Sequence, residues 1–390
     1  MNADRRCPLC ATPGRTSFLR LEAVPVNQNL LMTTYEAARG CERGDLDIAF
    51  CDTCGFIANL AFDPARLRYT PDYENAQSFS PSFRRYLADV ASQLVSRHDI
   101  SGKRVVEIGC GNGDFLRLIC ALSGGEGIGF DPSFDAARTR MPASITVIPD
   151  VYRELYAGYS GDLFCFRHTL EHVADPVGFL RQVRQTLGKS GAPVYCEVPD
   201  IRWILEQRAF WDFFYEHCNY FSSASLARLF AANGFEVLRT GTAFGDQYLW
   251  LEALPVQRCR SHPDDQTAVA ALGEAVRRFT SDCARRVGEV REEIEALCRA
   301  GQRCVVWGAG AKGVTLLNTL ALGLEAVEFV VDINPRKQGR FIPGTGQQIV
   351  APDFLTTYKP DVVLVMNRNY LHEIGGELHE FNLSPRLAVF

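Results

Sequence analysis

No stretch of this 390-residue chain approaches the run of about 18 uncharged apolar residues that a membrane-spanning helix needs, so such a helix is not expected. The first twenty residues, MNADRRCPLCATPGRTSFLR, lack the apolar middle of a signal peptide, which predicts a protein that stays in the cytoplasm. There is no block of like charges, and the net charge is only -5. That argues against nucleic acid or an anionic membrane as the main partner. Low-complexity tracts and internal repeats are also missing, which leaves neither a disordered linker nor a solenoid to consider.

What is present is ordinary in bulk. A composition of 47% hydrophobic and 22% charged residues is that of a globular protein, and the length suggests roughly two to four domains. Most of the fourteen cysteines are scattered through apolar segments such as VVEIGCG and DLFCFRH, as reduced core thiols would be. Four differ. Cys7, Cys10, Cys51 and Cys54 form two C-x-x-C pairs separated by forty residues, and Gly55 follows the second pair. A tight knuckle after each first cysteine points two thiolates at one ion, which predicts a structural zinc site with a closed coordination shell. Cys41 lies between the pairs without a partner at the right spacing.

Further along, the spacing of Phe83, Leu87, Val90 and Leu94 predicts a helix over 80–98. RVVEIGCGNGDFLRLI then reads as strand, glycine turn and helix, and GIGFDPS, ITVIPD, DLFCFRH and PVYCEVP follow as short strands between helical segments. Such alternation predicts an α/β class with a mostly parallel, doubly wound sheet. Residues 264–299 have helical spacing and read as a connecting helix. After it, RCVVWGAGAKGVTLLNTL, VEFVVDINP and DVVLVMN predict a second Rossmann-like α/β unit. The expected divisions are 1–75 for the zinc module, 76–258 for the first α/β domain, 259–300 for the linker and 301–390 for the last domain.

Two glycine loops carry candidate binding chemistry. In EIGCGNGDF, Gly109, Gly111 and Gly113 let the backbone turn sharply off a strand and approach a ligand, with Glu107 just before and Asp131 ending the next strand. A carboxylate at that second position can accept both ribose hydroxyls of an adenosine, and Asp150 ends the third strand within reach of an adenine amino group. Asp114 follows the loop and would repel a pyrophosphate. The later loop, GAGAKG, matches G-x-G-x-x-G at Gly308, Gly310 and Gly313, with Lys312 at the helix start. A phosphate-bearing substrate, a nicotinamide cofactor and a purely structural turn all remain open for it.

E-I-G-C-G-N-G, D-P-S and L-E-H-V-A-D-P together resemble class I methyltransferases, which implies S-adenosylmethionine as cofactor, with Glu107 helping to hold its methionine part. His168 and His172, in RHTLEHVADP, stand on a loop that would border this cofactor, with a packing or positioning role. The full order of knuckles, core, the aromatic stretch WDFFYEHCNYF, linker helix and terminal G-A-G-A-K-G unit resembles the three-domain sugar C-methyltransferases. That resemblance covers nearly the whole chain. It implies methylation of a carbon next to the keto group of a nucleotide-linked deoxysugar, with the histidine of Tyr-x-Glu-His as general base. The matching positions are Glu216 and His217, while Phe214 occupies the tyrosine position with Tyr215 beside it.

Carbon methylation needs a nucleophilic carbon, so a proton α to a ketone must be removed and the enolate stabilised. A neutral histidine suits that task, and apolar walls keep it neutral. Tyr215, Tyr220 or Tyr73 could donate to the enolate oxygen; Gly308, Gly310 and Lys312 would meet the acceptor from the last domain. Methylation of a non-sugar small molecule at carbon or oxygen, and a sensor that binds S-adenosylmethionine without turnover, are the alternatives.

Overall fold

The computed structural model describes residues 6–188, 190–257 and 265–390. The expected boundary at 258–259 lies outside the described residues. Three sheets organise the chain. The N-terminal part gives β1 (Thr16–Pro25), β2 (Arg43–Phe50) and β3 (Ile57–Asn59), paired antiparallel in that order. The next part gives β4 (Arg104–Ile108), β5 (Glu126–Phe130), β6 (Ile145–Ile148), β7 (Leu163–Arg167) and β8 (Val194–Pro199). A two-residue strand, β9 (Asn219–Tyr220), precedes β10 (Phe235–Ala243) and β11 (Tyr248–Pro255). The last sheet holds β12 (Cys304–Trp307), β13 (Phe329–Val331), β14 (Gln348–Val350), β15 (Val362–Val365) and β16 (Arg386–Val389).

The central sheet runs β10-β11-β8-β7-β4-β5-β6, parallel from β8 to β6, with β11 and β10 antiparallel at one edge. Its strands are near-continuous apolar runs because helices cover both faces, as a doubly wound sheet requires. The order reverses at β4, so ligands are expected beyond the carboxyl ends of β4 and its neighbours. The third sheet is wholly parallel, in the order β14-β13-β12-β15-β16.

Helix Pro81–His98 starts where Ser80 accepts from the Phe83 amide, and buries Phe83, Leu87, Ala91 and Leu94. The connecting helix is Gln266–Arg299, capped by Asp265, with Val269, Leu272, Val276, Phe279, Val290 and Ile294 on its buried face. Among the described residues no helix is long and apolar enough to cross a membrane.

The N-terminal sheet does not close within the N-terminal residues. Its fourth strand is β9, which pairs antiparallel with β3 through Ile57 opposite Tyr220 and Ala58 opposite Asn219. One apolar core then runs from Ile48 and Phe50 through Phe213 and Phe279 to Val314 and Leu316, so the first sheet, the connecting helix and the last domain share an interior.

Candidate active site

The four knuckle cysteines converge. Their sulfurs all lie within 4.8 Å of one another, with Cys7 3.5 Å from Cys54 and Cys10 3.6 Å from Cys51. A tetrahedron with zinc–sulfur arms of about 2.3 Å has edges of roughly 3.8 Å, so the donor set fits a tetracysteine ion. Cys41 is not part of the cluster. Bound zinc would act as a structural cross-link between the two knuckles, since four thiolates leave no open position.

At the end of β4 the first glycine loop turns with Gly109 at φ +72°, and a Cβ there would sit 2.1 Å from Thr169 Oγ1. Asp131, at the end of β5, accepts from the Gly111 amide at 2.7 Å and from Ser133, N at 2.8 Å and Oγ at 2.6 Å. Glu107 is buried, and Oε2 has no hydrogen-bond partner. Burial pushes its carboxyl up to about 8 against the pull of Arg167. An orphaned acid beside an open glycine turn is what a cationic amino-acid group would complete, so these residues fit S-adenosylmethionine. Asp150 sits at the rim, where Tyr156 and Arg153 hold its carboxylate below the usual range. His168, with φ +49°, faces Glu171 at 3.4 Å and Glu197 at 3.2 Å. Burial works against its protonation, but the two carboxylates prevail and raise its pKa.

A cleft of about 280 Å³ lies between the three sheets, lined among others by Tyr73, His168, His217, Gly308, Gly310 and Lys312. Asn75, on its wall, comes within 3.8 Å of a Cβ placed at Gly111, which joins the cleft to the first glycine loop. His217 is 8% exposed, with Nδ1 enclosed and unpartnered. Burial, then the neighbouring His172, His168 and Lys312, push its pKa well below the ordinary value, so the imidazole is neutral. Phe214 lies against it with ring centroids 4.0 Å apart, and His172 meets it edge-on at 4.7 Å.

Glu216 is fully buried but partnered: Asn27 Nδ2 donates to Oε1 at 3.0 Å and the Tyr73 hydroxyl to Oε2 at 3.1 Å. Burial raises its carboxyl to about 7 even so. Two of the expected tyrosines are placed differently. Tyr215 turns away from the cleft, its ring on Phe62 and its hydroxyl bonded to the Asp63 amide at 2.9 Å. In this loop its neighbours Phe214, Glu216 and His217 take the cleft side, and Tyr215 fills the space over Gly44, where even a Cβ would sit 2.4 Å from the ring. Tyr220 is held in β9, and its hydroxyl donates to the Phe214 carbonyl at 3.4 Å. Tyr73 is therefore the phenol that reaches Glu216.

On the opposite wall, Gly313 packs so closely on the turn that a Cβ would meet the Gly308 carbonyl at 2.1 Å. Asp332 accepts from the Ala309 amide at 2.8 Å, as Asp131 does in the first loop. Lys312 is already neutralised by Asp212, 2.6 Å away, and lies over Trp203. The cation that sequence reasoning missed is Lys337. It is 5% exposed, and among the described residues its Nζ donates to two neutral oxygens, Asn29 Oδ1 at 3.1 Å and the Ala309 carbonyl at 3.0 Å. A lysine in KQGR carries no local signal; only the fold brings it within 4.0 Å of a Cβ at Gly310.

Comparison with known proteins bears on this geometry. Residues 82–240 match the methyltransferase domain family, and residues 264–384 match the C-methyltransferase C-terminal domain family. The C-methyltransferase NovU of Streptomyces niveus is 26% identical over 393 aligned positions, spanning 96% of this chain and 92% of its own. A tRNA U34 carboxymethyltransferase of Campylobacter lari is 30% identical, but over only 24% of this chain and 34% of its own. Among solved structures, magnesium protoporphyrin IX methyltransferase from Synechocystis with bound SAH aligns over 47% of this chain and 90% of its own, at 16% identity and a TM-score of 0.36. The chain is an S-adenosylmethionine-dependent methyltransferase in which a methyltransferase domain is followed by a C-methyltransferase C-terminal domain.

Proposed function

We propose that this enzyme methylates a carbon next to the keto group of a nucleotide-activated deoxysugar, through an enolate generated by His217. The observation that carries the proposal is a neutral, buried imidazole on a cleft that also reaches the first glycine loop and the buried Lys337. When bound, S-adenosylmethionine supplies an electrophilic methyl group. The chain's own residues prepare the acceptor. His217 takes the proton, and the C–H electron pair moves into the enolate. The Tyr73 hydroxyl, whose proton goes to Glu216, stands on the same cleft with its oxygen as an acceptor for a sugar hydroxyl. Phe214 covers the imidazole and keeps water from reprotonating the carbanion.

A nucleotide handle is supported by the last domain, where Gly308 and Gly310 open a backbone turn beside Lys337. Under this reading the zinc module, the methyltransferase domain, the linker helix and the C-terminal domain each supply one wall or brace of a single site. The test is His217→Asn with a nucleotide-linked keto-deoxysugar in deuterated water. Methyl transfer and exchange of the α hydrogen should both be lost while S-adenosylmethionine binding persists. Retained exchange would remove His217 as the base.

A further inference from the structure

We infer that Glu171, His172 and His217 form a divalent transition-metal site inside the cleft, and that filling it with Zn²⁺ or Co²⁺ takes the general base out of action. Glu171 and His172 come from the turn Leu170–His172 after β7, and His217 from the loop before β9. The Cys218 amide donates to the Glu171 carbonyl at 2.9 Å and fastens the two segments side by side. One donor atom from each of the three side chains lies within 4.8 Å of the other two. Arms of about 2.0–2.2 Å set neighbouring ligand atoms roughly 3 to 3.5 Å apart, so small side-chain rotations close the set around one ion.

Three further observations point to a cation. Both carboxylate oxygens of Glu171 are enclosed at 1% exposure, and neither has a hydrogen-bond partner. An acid without donors, deep in a protein, is unfavourable until something positive meets it. His168 stands 3.4 Å from Oε1 but divides its charge with Glu197, leaving Glu171 incompletely served. His217 Nδ1 is likewise buried and unpartnered. His172 places its Nδ1 3.0 Å from the Tyr69 hydroxyl. When that nitrogen donates to the phenol oxygen, the lone pair of Nε2 is free for an ion, the outer-shell arrangement that metal-bound imidazoles use. The Glu216 carbonyl also borders the His172 ring and is the group an ion would displace or recruit. Two imidazoles and one carboxylate suit zinc, cobalt or nickel better than magnesium or calcium. The set is distinct from the tetracysteine cluster, which shares no residue with it.

Binding stands independently of the catalytic proposal; only the inhibitory half rests on it. In the test, protein whose cysteine site is filled with Zn²⁺ is titrated with Co²⁺ and followed in the visible spectrum. One further Co²⁺ per chain is expected, with weak d–d bands and no thiolate charge transfer. Glu171→Gln and His172→Gln should each weaken that binding at least about tenfold while keeping the circular dichroism of the parent. Co²⁺ should also inhibit methyl transfer in competition with the acceptor, reversibly on its removal. No second Co²⁺, or one that neither substitution weakens, overturns the site. Saturation without inhibition overturns its contact with the base. If His217→Asn keeps methyl transfer while the Co²⁺ bands remain in the parent protein, the catalytic reading fails and the metal site stands.

Discussion

Glu107 is a carboxyl that the free protein holds protonated near neutrality, because burial pushes it up to about 8. Since its folded value lies above the ordinary 4.5, its contribution to stability is complete below that pH and is lost as pH rises through about 8. Pairing with the ammonium of a bound cofactor demands the ionised form. Cofactor binding should therefore release a proton from Glu107, and affinity should climb up to about tenfold per pH unit between roughly pH 5.5 and 7.5. Calorimetry in buffers of different ionisation enthalpy reads the proton directly, and Glu107→Gln should give a flat profile; the same slope in that variant would refute the assignment. Glu107, Glu216 and His217 could be picked out of the sequence because each sits in a short local pattern. Their partners could not: Asn27 reaches Glu216 across 189 residues, and Lys337 reaches Asn29 across 308. Nothing in a contact of that span is written into neighbouring letters.

The loop between helix Ile201–Glu206 and β9 carries the proposed base, His217, and what fixes it is a set of ties from other elements. Asp212 bonds Lys312 at the start of helix Ala311–Thr319, which anchors the loop to the last domain. The sequence presented Lys312 as a phosphate cation; its partner was invisible because an aspartate inside an aromatic run has no preferred spacing to a lysine a hundred residues on. The two lysines of this wall should therefore behave differently. Lys312→Ala leaves a buried carboxylate unpaired and should destabilise the fold by about 3 to 5 kcal/mol, less whatever protonation of Asp212 relieves. Adding Asp212→Asn should recover most of the lost melting temperature. Lys337→Ala, which leaves two neutral acceptors without a donor but no unpaired carboxylate, should lower the melting temperature less than Lys312→Ala while raising KM for a nucleotide-linked acceptor by roughly 10- to 100-fold, the worth of a charged hydrogen bond to phosphate. Equal loss of melting temperature in both single variants would sink this division of labour.

At the scale of the whole molecule, the tetracysteine knuckles and His217 are tied to one piece of sheet. Cys51 and Cys54 precede β3, the Asn59 amide donates to the Cys218 carbonyl at 2.9 Å, and β3 pairs with β9 immediately after His217. Cys7, Cys51 and Cys54 also pack into one apolar cluster with Phe166, Phe221 and Phe230 of the central domain. The sequence showed two α/β units and a zinc module as successive segments, and their order along the chain matches the three sheets. It could not show that a two-residue strand crosses from one unit to another, because Asn219–Tyr220 is too short for any periodicity. This crossing would make an ion bound by the four cysteines a brace for the loop that carries the proposed base. Structural zinc contributes directly to folding free energy, so stripping it with a strong chelator, or Cys51→Ser, should lower the melting temperature by several degrees and broaden the transition. The amides of residues 217–220 should lose hydrogen-exchange protection along with those of β3, while those of β4 and β5, held in the ladder of the separate central sheet, keep theirs. Methyl transfer should fall in step with the exposed fraction of β9, and refilling with Zn²⁺ should restore both. Protection at 217–220 that is indifferent to the metal would mean that β9 is held by the central core alone.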